Sequence, residues 1–514
     1  MKKLPIGIQT FSKLREQGCV YVDKTNFALR LIQEGEYYFL SRPRRFGKSL
    51  FLDTLAEIFL GNKKLFKGLY IYDKYDFKPH PVIKISFGSG DYITEEIIFN
   101  EIDRIFERNE KELKVTSLHK KDIRGRFEEL IVKVSEKYKN KVVILIDEYD
   151  KPILDNILNK ELAIKARSIL KNLYGVIKDS DRYIKFVFIT GVSKFSKLNL
   201  FSGLNNLRDI TVIKEYGEIC GYTHNDLENV FFEHLKNVNL EKVKKWYNGY
   251  NYFGEKIYNP YDILLFIANG YEFRNYWWST GNPSFLIDKL KETNYYLPKL
   301  DNALISEEGL DIFDVEYIDI LALLWQTGYL TFKDKIIDKF GRITYRLCIP
   351  NLEIQFSLHE LFIDYLTNQR YEKRLYEENL LIALDNRDFE KFKEILQSIF
   401  SSIPYENYVN NVLSRYEGYY SSVIYVYLKA LGYDVVAEDT TNKGRIDITI
   451  KTDTMIVIIE FKVDSKEDAI EQILKKKYYE KYKSEGKEIY LVGIKFDSRE
   501  RNIVELKSKK YNQE

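Results

Sequence analysis

Cysteine and histidine are both scarce in this sequence, and their placement excludes several classes of site. The 514 residues include three cysteines, Cys19, Cys220 and Cys348, and five histidines. The cysteines lie far apart and form no CxxC pair, so neither a disulfide framework nor a thiolate zinc site is expected. The scattered histidines likewise argue against a histidine-rich metal centre.

The chain also lacks a strong net charge and any long uncharged apolar run. Lysine and arginine number 79 against 77 aspartates and glutamates, a net charge of +2, so any surface that binds nucleic acid must be local. No stretch approaches the roughly 18 apolar residues of a membrane span. The opening residues, MKKLP, lack the apolar core of a signal peptide. We therefore expect a cytoplasmic protein with no membrane partner.

The first part of the chain alternates short apolar runs with amphipathic helical patterns. The runs are β-branched or aromatic and are typical of strands at 37–40, 82–85, 142–146 and 186–189. Because these strands are almost continuously apolar and helices separate them, we expect a parallel sheet covered on both faces. The predicted fold class is therefore α/β.

Changes in pattern divide the chain into four predicted domains. The α/β pattern covers 1–215, and 216–370 reads as helices followed by a hairpin around Phe340-Gly341, which predicts a winged-helix subdomain. Residues 371–407 have helical periodicity and form a predicted connector. From 408 to 514 the pattern is helix, strand, strand, helix, strand, which indicates a second α/β domain.

A phosphate-binding loop is predicted between the first strand and its helix. The segment 41–49 reads SRPRRFGKS, which matches GxxxxGK[ST] except that Arg42 stands where the first glycine belongs. Backbone N–H groups and a helix N-terminus attract phosphates at such a loop, while Lys48 neutralises their charge and Ser49 ligates Mg²⁺. The predicted nucleotide-binding residues of the loop are Arg45, Phe46, Gly47, Lys48 and Ser49. The alternative is a basic loop that only caps a helix.

Carboxylates after the third strand supply the second half of this predicted site. The apolar run 142–146 ends in Asp147-Glu148, and buried unpaired carboxylates are costly. In a nucleotide hydrolase Asp147 holds the Mg²⁺ shell and Glu148 polarises the attacking water. Asp150 either supports this cluster or is an exposed turn acid, and the second interpretation is favoured. Beyond the fourth strand, Thr190 or Ser193 is a candidate γ-phosphate sensor, with a strand-end cap as the alternative.

These motifs resemble those of the bacterial and archaeal AAA-ATPase-like family. The matching segments are 21–25 (YVDKT), 41–49, 145–150 (LIDEYD), 201–207 (FSGLNNL) and 246–250 (WYNGY). In that family an arginine ordinarily precedes the proline of the loop too, so Arg42 is a family trait. The resemblance covers about the first 350 residues and implies an ATPase fold with a winged-helix lid, using ATP and Mg²⁺. Arg44, Arg45 and Arg208 are candidates for an arginine finger, and none stands out.

Two of these family segments have a structural alternative. Asp23-Lys24-Thr25 precedes a predicted helix at 26–33, where the aspartate or threonine serves as a plain N-cap, and lining the nucleotide base is the less favoured role. The aromatic segment 246–250 could stack on nucleobases, but an aromatic core beneath a glycine turn is favoured.

Charged residues near the C-terminus converge in a predicted hairpin. Strands at 444–450 and 456–462 follow each other across a turn, and side-chain alternation puts Glu460 and Lys462 on one face. If the strands pair, Asp447 lies beside that face. Two carboxylates and an ammonium at one point are costly unless a divalent cation lies between them. Metal-assisted phosphodiester hydrolysis uses such a site, with Lys462 orienting water or stabilising the developing charge.

This D…ExK pattern resembles the PD-(D/E)xK nuclease superfamily over about 408–503. The resemblance implies a restriction-endonuclease-like α/β domain whose catalytic set is Glu417, Asp447, Glu460, Lys462 and Gln472. In that set the three carboxylates hold Mg²⁺. The tyrosine of the family falls within 477–479, although the tight Gln-x-x-x-Tyr spacing is absent. The alternative is a degenerate domain that only binds DNA.

The sequence thus predicts an ATP-binding and ATP-hydrolysing protein with a Mg²⁺-dependent nuclease domain that cleaves DNA under ATPase control. Genome defence or mobile-element biology is the expected setting, and assembly into a homo-oligomer stays open. The alternative function is an ATP-dependent switch or scaffold whose nuclease-like domain only binds nucleic acid. The carboxylate and lysine set favours the enzyme, because a binding module would not need it.

Overall fold

The chain folds into two compact units. One comprises Met1–Phe285 with Leu304–Asn351, and the other comprises Leu286–Ala303 with Leu352–Glu514. The computed structural model describes residues 1–119, 122–194, 200–201, 204–277, 286, 289–290, 296–310, 315–369, 372–404 and 417–512. The side chain of Glu417, part of the segment 201–207 and the predicted boundary at 407–408 lie outside the described residues. The division into four domains stays a prediction.

The first unit is built on a five-stranded parallel sheet. Its strands are β1 (Tyr37–Ser41), β2 (Val82–Ser86), β3 (Val142–Asp147), β4 (Ile184–Gly191) and β5 (Arg208–Asp209). They lie in the order β2-β3-β4-β1-β5, and every neighbouring pair is parallel. The helices that accompany the sheet are α1 (Phe11–Glu16), α2 (Thr25–Glu34), α3 (Lys48–Phe59), α4 (Glu95–Glu112), α5 (Ile123–Tyr138), α6 (Lys151–Leu154) and α7 (Lys160–Asp179). The predicted parallel sheet is confirmed.

The register of this sheet brings the segments that follow β1, β3 and β4 to one edge. Strands β1 and β3 are buried along their whole length, as their apolar sequences predict. Ser41 at the end of β1 pairs with Gly191 at the end of β4, and Ile146 of β3 pairs with Ile189 of β4. Because ligands of open parallel sheets bind outside the carboxyl ends of the strands, this edge is the place for a site.

Short helices and two small sheets complete the first unit. The helices are α8 (His224–Asn229), α9 (Phe232–Leu235), α10 (Leu240–Tyr247), α11 (Pro260–Ala268), α12 (Glu307–Leu310) and α13 (Ile320–Thr327). Strands β6 (Asn248–Tyr250) and β7 (Ile257–Tyr258) pair with each other. Strand β10 (Ile343–Cys348) lies between β8 (Leu304–Ser306) and β9 (Thr331–Ile337), antiparallel to both. The predicted hairpin is confirmed as β9–β10, and its assignment to a winged helix stays a prediction.

The second unit contains a five-stranded mixed sheet. Its helices are α14 (Leu352–Thr367), α15 (Lys373–Asp385), α16 (Phe389–Ser401), α17 (Glu417–Ala430) and α18 (Ala469–Lys476), and a 3₁₀ segment spans Tyr478–Glu485. The strands, in spatial order, are β11 (Asp434–Thr441), β12 (Gly444–Lys451), β13 (Met455–Val463), β14 (Glu488–Asp497) and β15 (Asn502–Tyr511). The β13–β14 pair is parallel and the other pairs are antiparallel. The predicted hairpin of β12 and β13 is confirmed, whereas β11 and β15 are additions to the predicted pattern of three strands.

An apolar cluster fixes α18 and the 3₁₀ segment on the sheet of the second unit. Ile456 and Ile458 of β13 pack with Ile473 of α18 and with Tyr478 and Tyr482 of the 3₁₀ segment. This packing places the C-terminal helical segments beside the end of β13.

In the described part of the chain, no helix combines the length and the apolar character needed to cross a membrane.

Candidate nucleotide and nuclease sites

The predicted phosphate loop turns between the end of β1 and the start of α3. Gly47, the residue before α3, has a φ of +91°, a left-handed conformation that favours glycine. The Arg45 guanidinium lies over the Tyr261 ring, 3.9 Å from its centroid, and the Phe46 ring contacts Tyr250 edge to face. Because the side chains of Arg45 and Phe46 pack against these tyrosines, the backbone N–H groups of the two residues are the groups suited to contact a phosphate.

Arg42, the residue in place of the first glycine, anchors the loop. Its side chain is buried and donates hydrogen bonds to the carbonyl oxygens of Ser41, Thr211 and Tyr216 at 2.8–3.1 Å. The guanidinium also lies 3.7 Å from the centroid of the Tyr252 ring. Burial lowers the pKa of Arg42. The loop therefore tolerates a side chain at this position because that side chain is directed into the protein, where its two terminal nitrogens bond to backbone carbonyl oxygens.

We expect Arg42→Ala to lower the free energy of unfolding of the first unit by about 3 kcal/mol, because it removes charge-assisted hydrogen bonds and strands buried carbonyl acceptors. Differential scanning fluorimetry would show this as a lower melting temperature. Arg44→Ala is the matched control, since Arg44 is the exposed arginine of the same loop. Equal melting temperatures for the two variants would contradict the anchoring role.

Lys48, Ser49 and Asp147 meet where the loop joins α3. Lys48 Nζ donates to the carbonyl oxygens of Arg42 and Pro43 at 2.8 and 2.9 Å. Burial lowers the pKa of Lys48 and raises the pKa of Asp147, and the attraction between the two charges opposes both shifts. The Ser49 hydroxyl is hydrogen-bonded to the Asp147 carboxylate, which also lowers the pKa of that carboxyl. The two side chains predicted to ligate Mg²⁺ are therefore in direct contact.

Glu148 lies beside this cluster, against the loop that follows β2. Burial, and then the charge of Asp147, raise the pKa of Glu148. A Cβ atom built on Gly88 would lie 3.3 Å from Glu148 Oε2, so the carboxylate borders a segment that the sequence analysis had not singled out. A half-buried carboxylate with a raised pKa, next to a lysine and the predicted magnesium ligands, is suited to accept a proton from water.

Asp150 is buried, with 1% of its surface exposed, so the favoured interpretation as an exposed turn acid was wrong. Its carboxylate accepts hydrogen bonds from the backbone N–H groups of Val192 and Ser193 and from the Ser193 hydroxyl. Asp150 thereby links the segment after β3 to the segment after β4.

The two candidate γ-phosphate sensors differ in their hydrogen bonds. The Ser193 hydroxyl already donates to Asp150, whereas the buried Thr190 hydroxyl finds no hydrogen-bond partner among the described residues.

Helix α13 reaches the same edge of the sheet. Gln326 Oε1 accepts a hydrogen bond of 3.0 Å from the backbone N–H of Lys194, which follows β4. Gly328 caps the helix with a φ of +91°, and a Cβ atom there would lie 2.9 Å from Pro43 Cβ. Helix α13 thus contacts both the phosphate loop and the segment after β4, and β9 begins three residues beyond Gly328 at Thr331.

An apolar pocket opens beside Gly47. Its wall includes Tyr21, Val22, Lys24, Leu50, Ile219, Tyr222 and Pro260. Asp23 is used differently, because its carboxylate accepts hydrogen bonds from the backbone N–H groups of Thr25, the first residue of α2, and Tyr70. The N-cap position itself is held by Lys24, which makes no side-chain capping bond, so neither Asp23 nor Thr25 is the predicted plain N-cap. Asp23 instead bonds to the first N–H of α2, and Lys24 lines the pocket.

The aromatic segment 246–250 belongs to the core of the first unit. Tyr247 and Tyr250 are buried. Gly249 has a φ of +137°, and a Cβ atom there would fall 1.9 Å from the carbonyl oxygen of Pro350, a contact that excludes any side chain. The interpretation as an aromatic core beneath a glycine turn is confirmed.

In the second unit, Asp447 of β12 and Glu460 of β13 lie just beyond the end of the hydrogen-bonded ladder that joins these two strands. The ladder between these strands runs to Ile448 opposite Ile459, and the next residues are Asp447 and Glu460. Asp447 Oδ2 accepts a hydrogen bond of 2.7 Å from the backbone N–H of Phe461, and Lys462 Nζ lies 4.0 Å from Glu460 Oε1. The structure therefore brings the two predicted carboxylates and the lysine together.

Gln472 and Tyr478 join this cluster from the C-terminal helical segments. Gln472 Nε2 donates a hydrogen bond to Glu460 Oε1. Burial and the charges of Glu460 and Asp447 raise the pKa of Tyr478, while a hydrogen bond with Gln472 lowers it. Lys477 ends α18 in a left-handed conformation, with a φ of +52°, and Tyr478 starts the 3₁₀ segment. This change of direction brings Tyr478 back to Gln472 despite a spacing of six residues.

The carboxylates of this second cluster fit a divalent cation. Mg²⁺ in phosphoryl-transfer sites is commonly held by one or two carboxylates together with water and substrate phosphates, and Asp447 and Glu460 supply two. Glu460 is buried, with 3% of its surface exposed, in a setting that favours a cationic neighbour. Within the described residues, no group of three or more His, Cys, Asp or Glu side chains could hold a metal ion. The part assigned to Glu417 stays a prediction.

Comparison with known proteins identifies two segments of the chain. A family model described as "Predicted AAA-ATPase" matches residues 5–201, and one described as "PD-(D/E)XK nuclease superfamily" matches residues 415–506. An "Uncharacterized protein in vnfD 5'region" of Azotobacter chroococcum mcd 1 is 45% identical, with 98% of both chains covered. The chain belongs to the AAA-ATPase-like family, with a C-terminal domain of the PD-(D/E)XK nuclease superfamily.

The two matched segments of this AAA-ATPase-like protein contain all the residues predicted for its sites. Arg45 to Thr190 lie within 5–201, and Glu417 to Gln472 lie within 415–506. Sequence reasoning misjudged Asp150, although its position in LIDEYD carried a signal. Tyr478 was placed only within 477–479, because neither the helix end at Lys477 nor the packing of the 3₁₀ segment follows from the spacing.

Proposed function

We propose that this protein binds and hydrolyses ATP in its first unit, and that its second unit is a Mg²⁺-dependent nuclease that cleaves DNA under ATPase control. The observation that carries the proposal is the contact between Ser49 and Asp147 at the edge where β1 and β3 end, with the Lys48 ammonium on the loop carbonyls of Arg42 and Pro43 and Glu148 beside Asp147. We extend the proposal to a cytoplasmic setting in genome defence or mobile-element biology, with assembly into homo-oligomers.

In the proposed ATPase reaction, Lys48 exchanges the carbonyl oxygens of Arg42 and Pro43 for the β- and γ-phosphates. Glu148 accepts the proton of the attacking water, a role that its raised pKa supports. The Thr190 hydroxyl, buried at the end of β4, donates to the γ-phosphate or to that water. Mg²⁺ held by Ser49 and Asp147 would neutralise the negative charge of the phosphates.

The apolar pocket beside Gly47 is the proposed site of the ATP base. Aliphatic and aromatic side chains form most of its wall, which suits the faces of a purine ring. Because Gly47 belongs to the phosphate loop, a nucleotide whose base occupies this pocket has its phosphates beside Lys48. This arrangement supports a nucleotide rather than inorganic phosphate as the ligand.

The proposed nuclease site uses Asp447, Glu460, Lys462 and Gln472. The backbone N–H of Phe461 fixes the Asp447 carboxylate, and Gln472 orients that of Glu460. The Lys462 ammonium orients the attacking water or stabilises the charge that develops on the scissile phosphate. Mg²⁺ held by Asp447, Glu460 and Glu417 would neutralise that phosphate and lower the pKa of a bound water.

A digestion assay tests the link between the two activities. The full chain is incubated with single-stranded DNA, duplex DNA and RNA, with Mg²⁺ or Mn²⁺, and with or without ATP. We expect DNA to be cut and ATP to change the rate about tenfold or more, a response that Lys48→Ala should lose. If the wild-type protein cuts DNA at one rate under both conditions, the ATPase does not control the nuclease.

An ATP-dependent switch or scaffold that only binds nucleic acid is the second candidate. It is supported by the hydrogen bonds that Asp447 and Glu460 receive within the protein, from the backbone N–H of Phe461 and from Gln472 Nε2. Failure of the wild-type protein to cut any of the substrates with either metal, together with retained binding to DNA, would establish this candidate instead.

A further inference from the structure

The end of β9 and the turn that follows it expose three large apolar side chains. Phe340 is 72% exposed, Ile337 is 60% exposed and Ile336 is 37% exposed. Ile336 and Ile337 end β9, and Phe340 lies in the turn that follows. A phenyl ring as exposed as that of Phe340, at the tip of a hairpin, is a candidate for an interaction surface.

The turn that carries Phe340 is rigid. Asp338 Oδ1 accepts hydrogen bonds from the backbone N–H groups of Phe340 and Arg342, at 2.8 and 3.0 Å, and Asp338 Oδ2 accepts one from Arg342 Nε at 2.7 Å. Gly341 has a φ of +84° and permits the reversal of the chain. The turn therefore holds the phenyl ring away from the hairpin, so ordering it on binding costs little entropy.

Positive charge is concentrated around this apolar surface. Residues 331–348 contain five lysines and arginines and two aspartates, so this hairpin alone carries +3, more than the +2 of the whole chain. The aspartates are taken up by ion pairs with Arg342 and Arg346. Lys339 lies 4.9 Å from the centroid of the Phe340 ring, and Lys335 is exposed on β9. An exposed aromatic ring flanked by cations matches a base flanked by phosphates.

We infer that the β9–β10 hairpin is a nucleic-acid contact of the first unit, in which Phe340 stacks on an unpaired base while Lys335 and Lys339 hold the neighbouring phosphates. Stacking on aromatic side chains and neutralisation of phosphates are the two interactions that hold single strands on proteins. A second copy of this chain is a less suitable partner, because a symmetric contact would place two hairpins with a net charge of +3 each against one another. This inference goes beyond the proposed function, since neither hydrolytic site takes part in it.

The test measures binding of the full chain to a fluorescein-labelled single-stranded oligonucleotide by anisotropy, without divalent metal so that the probe stays intact. Phe340→Ala should weaken binding about tenfold, within the range for loss of one base–aromatic stack. Tyr70→Ala is the matched control, because Tyr70 is also exposed in the first unit with a lysine, Lys74, over its ring. We expect this control to bind like the wild-type protein.

Salt dependence tests the lysines separately. The double variant Lys335→Ala/Lys339→Ala should reduce the slope of log affinity against log salt by about 1.4, since each phosphate contact to a single strand contributes roughly 0.7. All three substituted side chains are exposed, so the melting temperature should not change.

Three outcomes would overturn the inference. The first is that Phe340→Ala and the double lysine variant both bind the oligonucleotide with the affinity and the salt slope of the wild-type protein. The second is a wild-type oligomer, seen by sedimentation, that Phe340→Ala converts to a monomer while DNA binding is unchanged. The third is Phe340-dependent binding to anionic phosphatidylserine vesicles without any such effect on the oligonucleotide.

Discussion

Lys48→Ala should weaken the affinity for ATP by about 100-fold or more, because it removes the ammonium that faces the β- and γ-phosphates, and hydrogen bonds to charged groups contribute about 1.5–3 kcal/mol each. Isothermal titration calorimetry with ATP and Mg²⁺ measures the loss. The variant should keep its fold, since Lys48 bonds to loop carbonyls in the structure and not to a buried acid.

Glu148→Gln is the matched variant, because it keeps the shape of the side chain and removes the base. We expect ATP affinity close to that of the wild-type protein and a rate of hydrolysis lower by about 10²–10⁴, the usual contribution of a general base. Equal loss of binding in Lys48→Ala and Glu148→Gln would show that the division of roles between these residues is wrong.

Glu460→Ala and Asp447→Ala should eliminate metal-dependent cleavage of DNA, because each removes one of the two carboxylates at the end of the β12–β13 ladder. Lys462→Ala should cost roughly 10² or more in rate, as expected for loss of an electrostatic stabiliser of the transition state. The measurement is cleavage of labelled DNA with Mg²⁺ and with Mn²⁺. Hydrolysis of ATP in the absence of nucleic acid should be the same in all three variants.

Glu467→Gln is the control for these nuclease variants. Glu467 is exposed and its carboxylate lies 3.9 Å from Lys462 Nζ, about as close as that of Glu460, yet it is outside the cluster with Asp447 and Gln472. We expect it to cut DNA like the wild-type protein. Wild-type rates for Glu460→Ala would show that the site is wrongly assigned.

Local patterns were sufficient to predict the sheet of the first unit and the residues at its edge. Strands β1 and β3 are short, apolar and buried throughout, and a helix or loop signal follows each of them, so the order of elements could be read directly. Parallel pairing then brings their carboxyl ends together whatever the length of the connections. Lys48 and Asp147 are neighbours for that reason, although 98 residues separate them in the chain.

Long-range contacts account for what the sequence could not predict. The motif alone does not show that the Arg42 side chain donates hydrogen bonds to the carbonyl oxygens of Thr211 and Tyr216. Nor does it show that the Asp150 carboxylate is buried and accepts hydrogen bonds from the backbone N–H groups of Val192 and Ser193. Strand β11 was overlooked because polar residues fill much of it and only Val435 and Asp439 are buried. In each case the partner is set by tertiary packing, which spacing does not encode.

The close approach of Gly328 to Pro43 gives α13 a mechanical role. There is no room for even one methyl group between helix cap and loop, so a movement of Pro43 toward the helix would push on the end of α13. The same helix is held through Gln326 by the segment after β4 and leads within a few residues into the hairpin that carries Phe340. Helix α13 therefore connects the proposed ATP site on the loop with the proposed nucleic-acid contact on the hairpin. Thermodynamic linkage then requires reciprocity: whatever factor ATP imposes on the affinity for a nucleic acid, that nucleic acid imposes on the affinity for ATP.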